Sequence, residues 1–100
     1  MKYNLQISEE AFFDIEEAVN NYRRIPVENL ANKFKIRLAE GMKYITNYPL
    51  NLAVKYKGIR IFNLKGFPYQ IHYLVIKLQV LVLGVFHEKS NPTSWENRLY

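Results

Sequence analysis

The sequence predicts an α+β domain in which a helical hairpin covers one face of a mainly antiparallel sheet. Two observations carry this. Helical periodicity fills most of residues 9–47 and strand-like composition fills most of the chain after Pro49, so helices and strands are segregated along the sequence. Neither helix is apolar all round, so each presents a stripe that a sheet or the other helix must cover.

Tyr3, Leu5 and Ile7 alternate with Lys2, Asn4 and Gln6, the period of a half-buried strand. Ser8 then serves as an N-cap, because its oxygen can accept from a free first-turn amide. Glu9 and Glu10 sit where the helix dipole favours negative charge. Phe12, Ile15, Val19 and Tyr22 recur at spacings of three and four, which sets them on one core-facing stripe. Arg23 and Arg24 close this helix with the sign suited to a C-terminus. Ile25-Pro26 breaks the pattern. A second periodicity runs through Val27, Leu30, Ala31, Phe34, Leu38, Met42 and Ile45, ending near Asn47 before Pro49. So short a break predicts an antiparallel helix pair.

Val54 to Tyr56 reads as a short strand punctuated by Gly58, and Ile59 to Leu64 is rich in β-branched and aromatic residues. Lys65-Gly66-Phe67-Pro68 is a turn signal. Tyr69 to Ile76 and Gln79 to His87 are two more strands joined tightly at Lys77-Leu78. The last is apolar on both faces, as an interior strand should be. Asn91-Pro92 reads as a cap and first-turn proline opening a short C-terminal helix. No repeat, linker or low-complexity tract divides the chain, so residues 1–100 are expected to form a single domain.

Composition narrows the function classes. Hydrophobic residues make up 49% of the chain and aromatics 15%, the balance of a folded globule rather than a disordered chain. The net charge of +5 favours polyanions or an acidic protein partner. Without cysteine there is no disulfide or thiolate metal site, which fits a reducing cytoplasm. Met1 to Ser8 hold no long apolar stretch, so no secretory signal is expected, and the longest apolar run, Val80 to Phe86, is too short to span a bilayer. A soluble cytoplasmic protein with no membrane partner is expected. Metal and cofactor chemistry are not expected either: His72 and His87 have no carboxylate at ligand spacing, and glycine-rich phosphate loops do not occur. Sequence-specific DNA binding is disfavoured by Glu9, Glu10, Asp14, Glu16 and Glu17 on the first helix, which would repel phosphate.

Several segments in order resemble the RelE/ParE toxin superfamily. They begin with Ser8, Ala11, Asp14, Ile15 and Tyr22 on the first helix, then Ala31, Phe34 and Pro49. Tyr56-Lys57-Gly58-Ile59-Arg60 is similar to the superfamily's tyrosine-x-glycine-x-arginine stretch leading into the sheet. Phe67-Pro68-Tyr69-Gln70-Ile71-His72-Tyr73 resembles its proline-tyrosine strand, and Val85-Phe86-His87 with Pro92, Trp95 and Arg98 resembles the tail of many ParE-like members. The resemblance implies a toxin held inactive by a cognate antitoxin, in a hetero-oligomer with it. It leaves two targets open: DNA gyrase, poisoned by ParE-like members, and ribosome-bound mRNA, cut by ribonucleases of the RelE kind. A non-toxic member acting only as a binding module is the third alternative.

Cutting RNA through its own 2′-hydroxyl needs a base, an acid and cations for the phosphorane. Of the two histidines, His87 is the candidate acid or base, with Arg60 and Lys89 holding phosphate. Against this stand structural roles: His87 bonding the start of the C-terminal helix, His72 solvated or at an interface, Arg60 paired with a helix glutamate, Lys55 and Lys57 on a solvated strand face. Gln70 stands where RelE-like ribonucleases tend to carry arginine, and Ser90 where a basic residue is common. Both departures favour the ParE-like, non-enzymatic reading. For partner binding, the resemblance implies an antitoxin helix beside the hairpin and a strand on the sheet edge. Phe12, Phe13, Leu38 and Met42 are groove candidates, and Trp95 with Arg98 are anchors on one face of the tail.

Overall fold

The computed structural model describes residues 2–91 together with Trp95, Asn97 and Arg98. Its elements are β1 (Asn4–Ile7), α1 (Glu9–Arg23), α2 (Leu30–Asn47), β2 (Val54–Tyr56), β3 (Ile59–Asn63), β4 (Tyr69–Ile76) and β5 (Gln79–His87). The strands form one five-stranded sheet in the order β1-β5-β4-β3-β2. β2 to β5 make an antiparallel meander, and β1 lies parallel to β5 with Leu5 opposite Val80. This is the α+β arrangement expected from the sequence. The expected C-terminal helix and its Pro92 fall outside the described residues, apart from the three named.

Tight turns set the meander. Lys57 and Gly58 both have positive φ, as a two-residue hairpin with the sheet's own twist requires, and Gly66 does the same in the β3–β4 turn. Ser8 caps α1, its Oγ accepting from the Ala11 amide at 3.1 Å. The same hydroxyl donates to the Leu83 carbonyl, so the cap also ties the helix to β5.

Both helices cover one sheet face. Phe34, Leu38, Met42 and Ile45 of α2 meet Ile71, Tyr73, Val80, Val82 and Val85 in one buried core. The stripe on α1 differs from expectation. Ala11, Ala18 and Val19 are its buried residues, whereas Phe12 is 53% exposed and Phe13 62%. Alanines let the helix axis approach β5 closely, and a phenylalanine at that contact would hold it off. The second helix starts later than expected, at Leu30: Asn29 is left-handed with φ 60° and interrupts the helical run expected from Val27 onward.

A bulge in β5 decides which side chains reach which face. His72 stands opposite Gly84 and Tyr73 opposite Val82, so Leu83 is an extra residue. Val85 therefore joins Val82 on the helix side, and Phe86 turns with His72 to the other side.

Candidate functional site

Of the residues proposed for RNA cleavage, His87 and Arg60 are held on the helix side of the sheet, but not together. His87 pairs across the ladder with Tyr69, and Arg60 with Tyr73. Four residues of β4 separate these rungs, about 13 Å of strand. The His87 Nδ1 accepts from the Lys89 amide at 3.1 Å, which fixes the turn after β5 rather than the start of a helix. The Lys89 side chain is exposed. A cleft of about 230 Å³ beside His87 is lined by Asp14, Glu17, Tyr69 and Arg98 among others. Its carboxylates oppose a phosphate, and its arginine is already paired. Arg60 has no glutamate partner among the described residues; it donates to the Leu52 carbonyl and pins the loop before β2. Tyr73 supports the same loop through a 2.9 Å bond to the Pro49 carbonyl. Lys55 and Lys57 are exposed, on the strand and turn at that edge.

The opposite face carries a second, polar-cored cluster. His72 is fully buried, not solvated, contrary to the sequence expectation. The bulge and the glycine explain this: Gly84 across the ladder leaves room for the Phe86 ring, which lies 4.8 Å from the imidazole, edge to face. The Tyr56 hydroxyl lies 2.8 Å from His72 Nδ1 and the Gln70 Oε1 lies 3.2 Å from Nε2. Because the amide oxygen can only accept, Nε2 carries the proton and Nδ1 accepts from tyrosine. Gln70 passes the chain on to Asn63 at 3.0 Å. Neutral imidazole satisfies every bond in this row. Burial, with the nearby Arg98 charge adding to it, lowers the His72 pKa from 6.5 to about 4.

Trp95 and Arg98 close over this cluster. The Trp95 ring lies 4.7 Å from His72 and 5.8 Å from Tyr56, and its buried Nε1 has no hydrogen-bond partner among the described residues. Arg98 holds Asp14 with both terminal guanidinium nitrogens, Nη2 to Oδ1 at 2.9 Å, and its guanidinium carbon lies 4.6 Å from the Phe86 ring centre. Hydrogen bonding to Asp14 raises the Arg98 pKa against the opposing effect of burial. Asp14 Oδ2 also accepts from the Val85 amide at 3.0 Å, a group that β5 cannot pair once β1 has ended. Trp95 and Arg98 are thus inward-facing clasps in this structure, not free anchors.

Of the groove candidates, Leu38 and Met42 belong to the core and offer no surface, while Phe12 and Phe13 are open on α1. Sequence reasoning named Asp14 and Arg98 apart and missed their union, since nothing local links residues so distant along the chain. Tyr56 as the partner of His72 was missed for the same reason. Among the described residues, no group of histidine and carboxylate side chains could hold a metal ion, and no helix is long and apolar enough to cross a membrane.

No family's sequence profile matches the chain, and no curated protein does. Solved structures do. A chain of the chromosomal ParDE toxin–antitoxin system of P. aeruginosa is 17% identical over 86% of this chain and 96% of its own, with a TM-score of 0.76. The E. coli toxin RelE, as a mutant in the free state, is 20% identical over the whole of both chains at a TM-score of 0.57. The RelBE2 toxin–antitoxin complex of Mycobacterium tuberculosis gives 16% identity over 87% of this chain and 99% of that one, with a TM-score of 0.52. The chain has the RelE/ParE fold.

Proposed function

We propose that this chain is the toxin of a toxin–antitoxin pair, that it acts in the ParE manner by trapping DNA gyrase in the cytoplasm, and that a cognate antitoxin neutralises it. The observation that carries the choice of target is the setting of His87. Its ring accepts from a turn amide and adjoins Asp14 and Glu17, and it lies about 13 Å of strand from Arg60. A ribonuclease needs its acid–base group and its cations around one phosphate. The other histidine is sealed under Trp95. A gyrase trap needs no such pair; it needs a surface.

Phe12 and Phe13 extend that reading to the antitoxin. Two adjacent open phenylalanines on α1 are an unusual exposure for a small domain, and an apolar partner helix laid along α1 would cover them.

Expression of the chain alone in bacteria is expected to arrest growth, and co-expression of the product of the adjacent reading frame to restore it. Unimpaired growth at good expression would favour a member that only binds. Primer extension of a message in a translating extract tests the RelE-like alternative: cuts inside codons that vanish in His87→Ala or Arg60→Ala would replace the gyrase reading with a ribonuclease.

A further inference from the structure

The two helices of the hairpin carry opposite charge. α1 holds five carboxylates and Arg23, a net −4, whereas α2 holds Lys33, Lys35, Arg37 and Lys43 against Glu40, a net +3. They do not neutralise each other. Among the described residues no ion pair joins α1 to α2: Arg37 pairs with Glu40 inside α2, and Glu10 and Asp14 pair with Arg98. Spacings of three and four place Glu9, Phe13, Glu16 and Asn20 on one stripe of α1, and Asn32, Ile36, Ala39 and Lys43 on one stripe of α2. All eight are exposed. Both helices bury their other sides in the core, and a groove of about 330 Å³ between them is lined by Glu16, Asn20 and Lys35 among others. The stripes therefore share the hairpin's outward face. Phe13 and Ile36, each more than half exposed, are its large apolar members.

We infer that this outward face binds a second copy of the chain, in a dimer whose twofold axis runs parallel to the helices. Such an axis lays each α1 over the α2 of the second copy, whereas an axis across the helices would lay acid on acid. The register follows from the hairpin itself. The rings of Tyr22 and Phe34 lie 5.1 Å apart, so nine residues back along α1 and nine onward along α2, Phe13 stands level with Lys43. In the dimer Phe13 rests on Ala39 and the methylene stem of Lys43 of the second copy, and Glu9 and Glu16 flank that ammonium. Ile36 packs over Asn20 of the second copy. Charge complementarity selects this occupant. Glu9 and Glu16 repel nucleic acid and anionic membranes, Lys35 and Lys43 repel a basic segment, and a copy of the chain brings both signs in matching order. The inference stands apart from the toxin reading; an antitoxin helix laid along α1 would have to displace the second copy.

Sedimentation velocity of the purified chain over a range of concentrations is the test. A monomer–dimer equilibrium in the micromolar range is expected, weakened by added salt. Two variants each reverse one side: Glu9→Lys with Glu16→Lys on α1, and Lys35→Glu with Lys43→Glu on α2. Thermal melting first shows that each keeps the parent's transition; where a reversal lowers it, glutamine at the same positions takes its place. Each variant alone is expected to lose dimer affinity by about tenfold or more, because like charges then face each other. The two reversed variants mixed in equal amounts are expected to regain it, since each α1 then meets an α2 of opposite sign. A parent chain that stays monomeric throughout, or variants that dimerise as the parent does, would overturn the proposal. Reversed variants whose mixture stays monomeric would show that α1 does not pair with α2 of a second copy, and would overturn it too.

Discussion

Protonating His72 would break the polar row that runs from Tyr56 to Asn63, because Nδ1 could no longer accept from Tyr56 and a charge would sit under Trp95. In the unfolded chain the imidazole gains its proton near 6.5, and in the fold only near 4. The neutral form's contribution is therefore complete above pH 6.5 and is lost as pH falls towards 4, about 3 kcal/mol in all. Urea unfolding measured across that range should show this loss, and His72→Gln should flatten it; an unchanged slope would mean the ring is not held neutral. The clasp between Asp14 and Arg98 makes a second prediction. Arg98→Ala should cost about 2 kcal/mol and Asp14→Ala more, since the latter also strands the Val85 amide. The double variant should cost less than the sum. Additive losses in denaturant would show that the pair does not act as a unit.

At the scale of elements, two glycines set how closely layers approach. Gly41→Ala would ordinarily gain helix stability, by about 1 kcal/mol. Here the new methyl meets Phe62, Ile71 and Leu64 at once, so a net loss of about 1 kcal/mol is expected in thermal unfolding. Gly84→Ala puts a methyl 2.4 Å from the Phe86 ring and 3.1 Å from Arg98 Nη1. The ring must move, and the contacts of Trp95 and Arg98 with it should loosen. Trp95 is the chain's only tryptophan, so its emission should shift to the red in Gly84→Ala; emission like that of the parent would show the tail docked independently of Phe86. Most elements were legible because their signals are local. Ser8 with its glutamates marked the start of α1, and Lys57-Gly58, Gly66 and Lys77-Leu78 marked the turns. The features that escaped depended on distant residues. The period of α1 admitted Phe12 to the stripe, but contact with β5 selected the alanines. The bulge at Leu83 has no sequence mark, yet it sends Phe86 to the His72 face. The His72 environment and the Asp14–Arg98 clasp arise from that bulge and from the placement of Trp95 and Arg98, so neither could be read from spacing.

For the whole molecule, the layout places its chemistry-bearing residues in structural work. Arg60 supports a loop, His87 a turn, and Trp95 with Arg98 a seal over the second face. Surface is left for partners: open phenylalanines on an acidic α1, a basic α2, and short edge strands at β1 and β2. On the reading proposed above, such a molecule acts by binding. The most direct measurement adds the purified chain to DNA gyrase and supercoiled plasmid and tracks the plasmid's cleaved form. Accumulation of linear, protein-linked DNA that the antitoxin prevents is the predicted result. Undisturbed supercoiling, with messages cut inside codons in a translating extract, would contradict it.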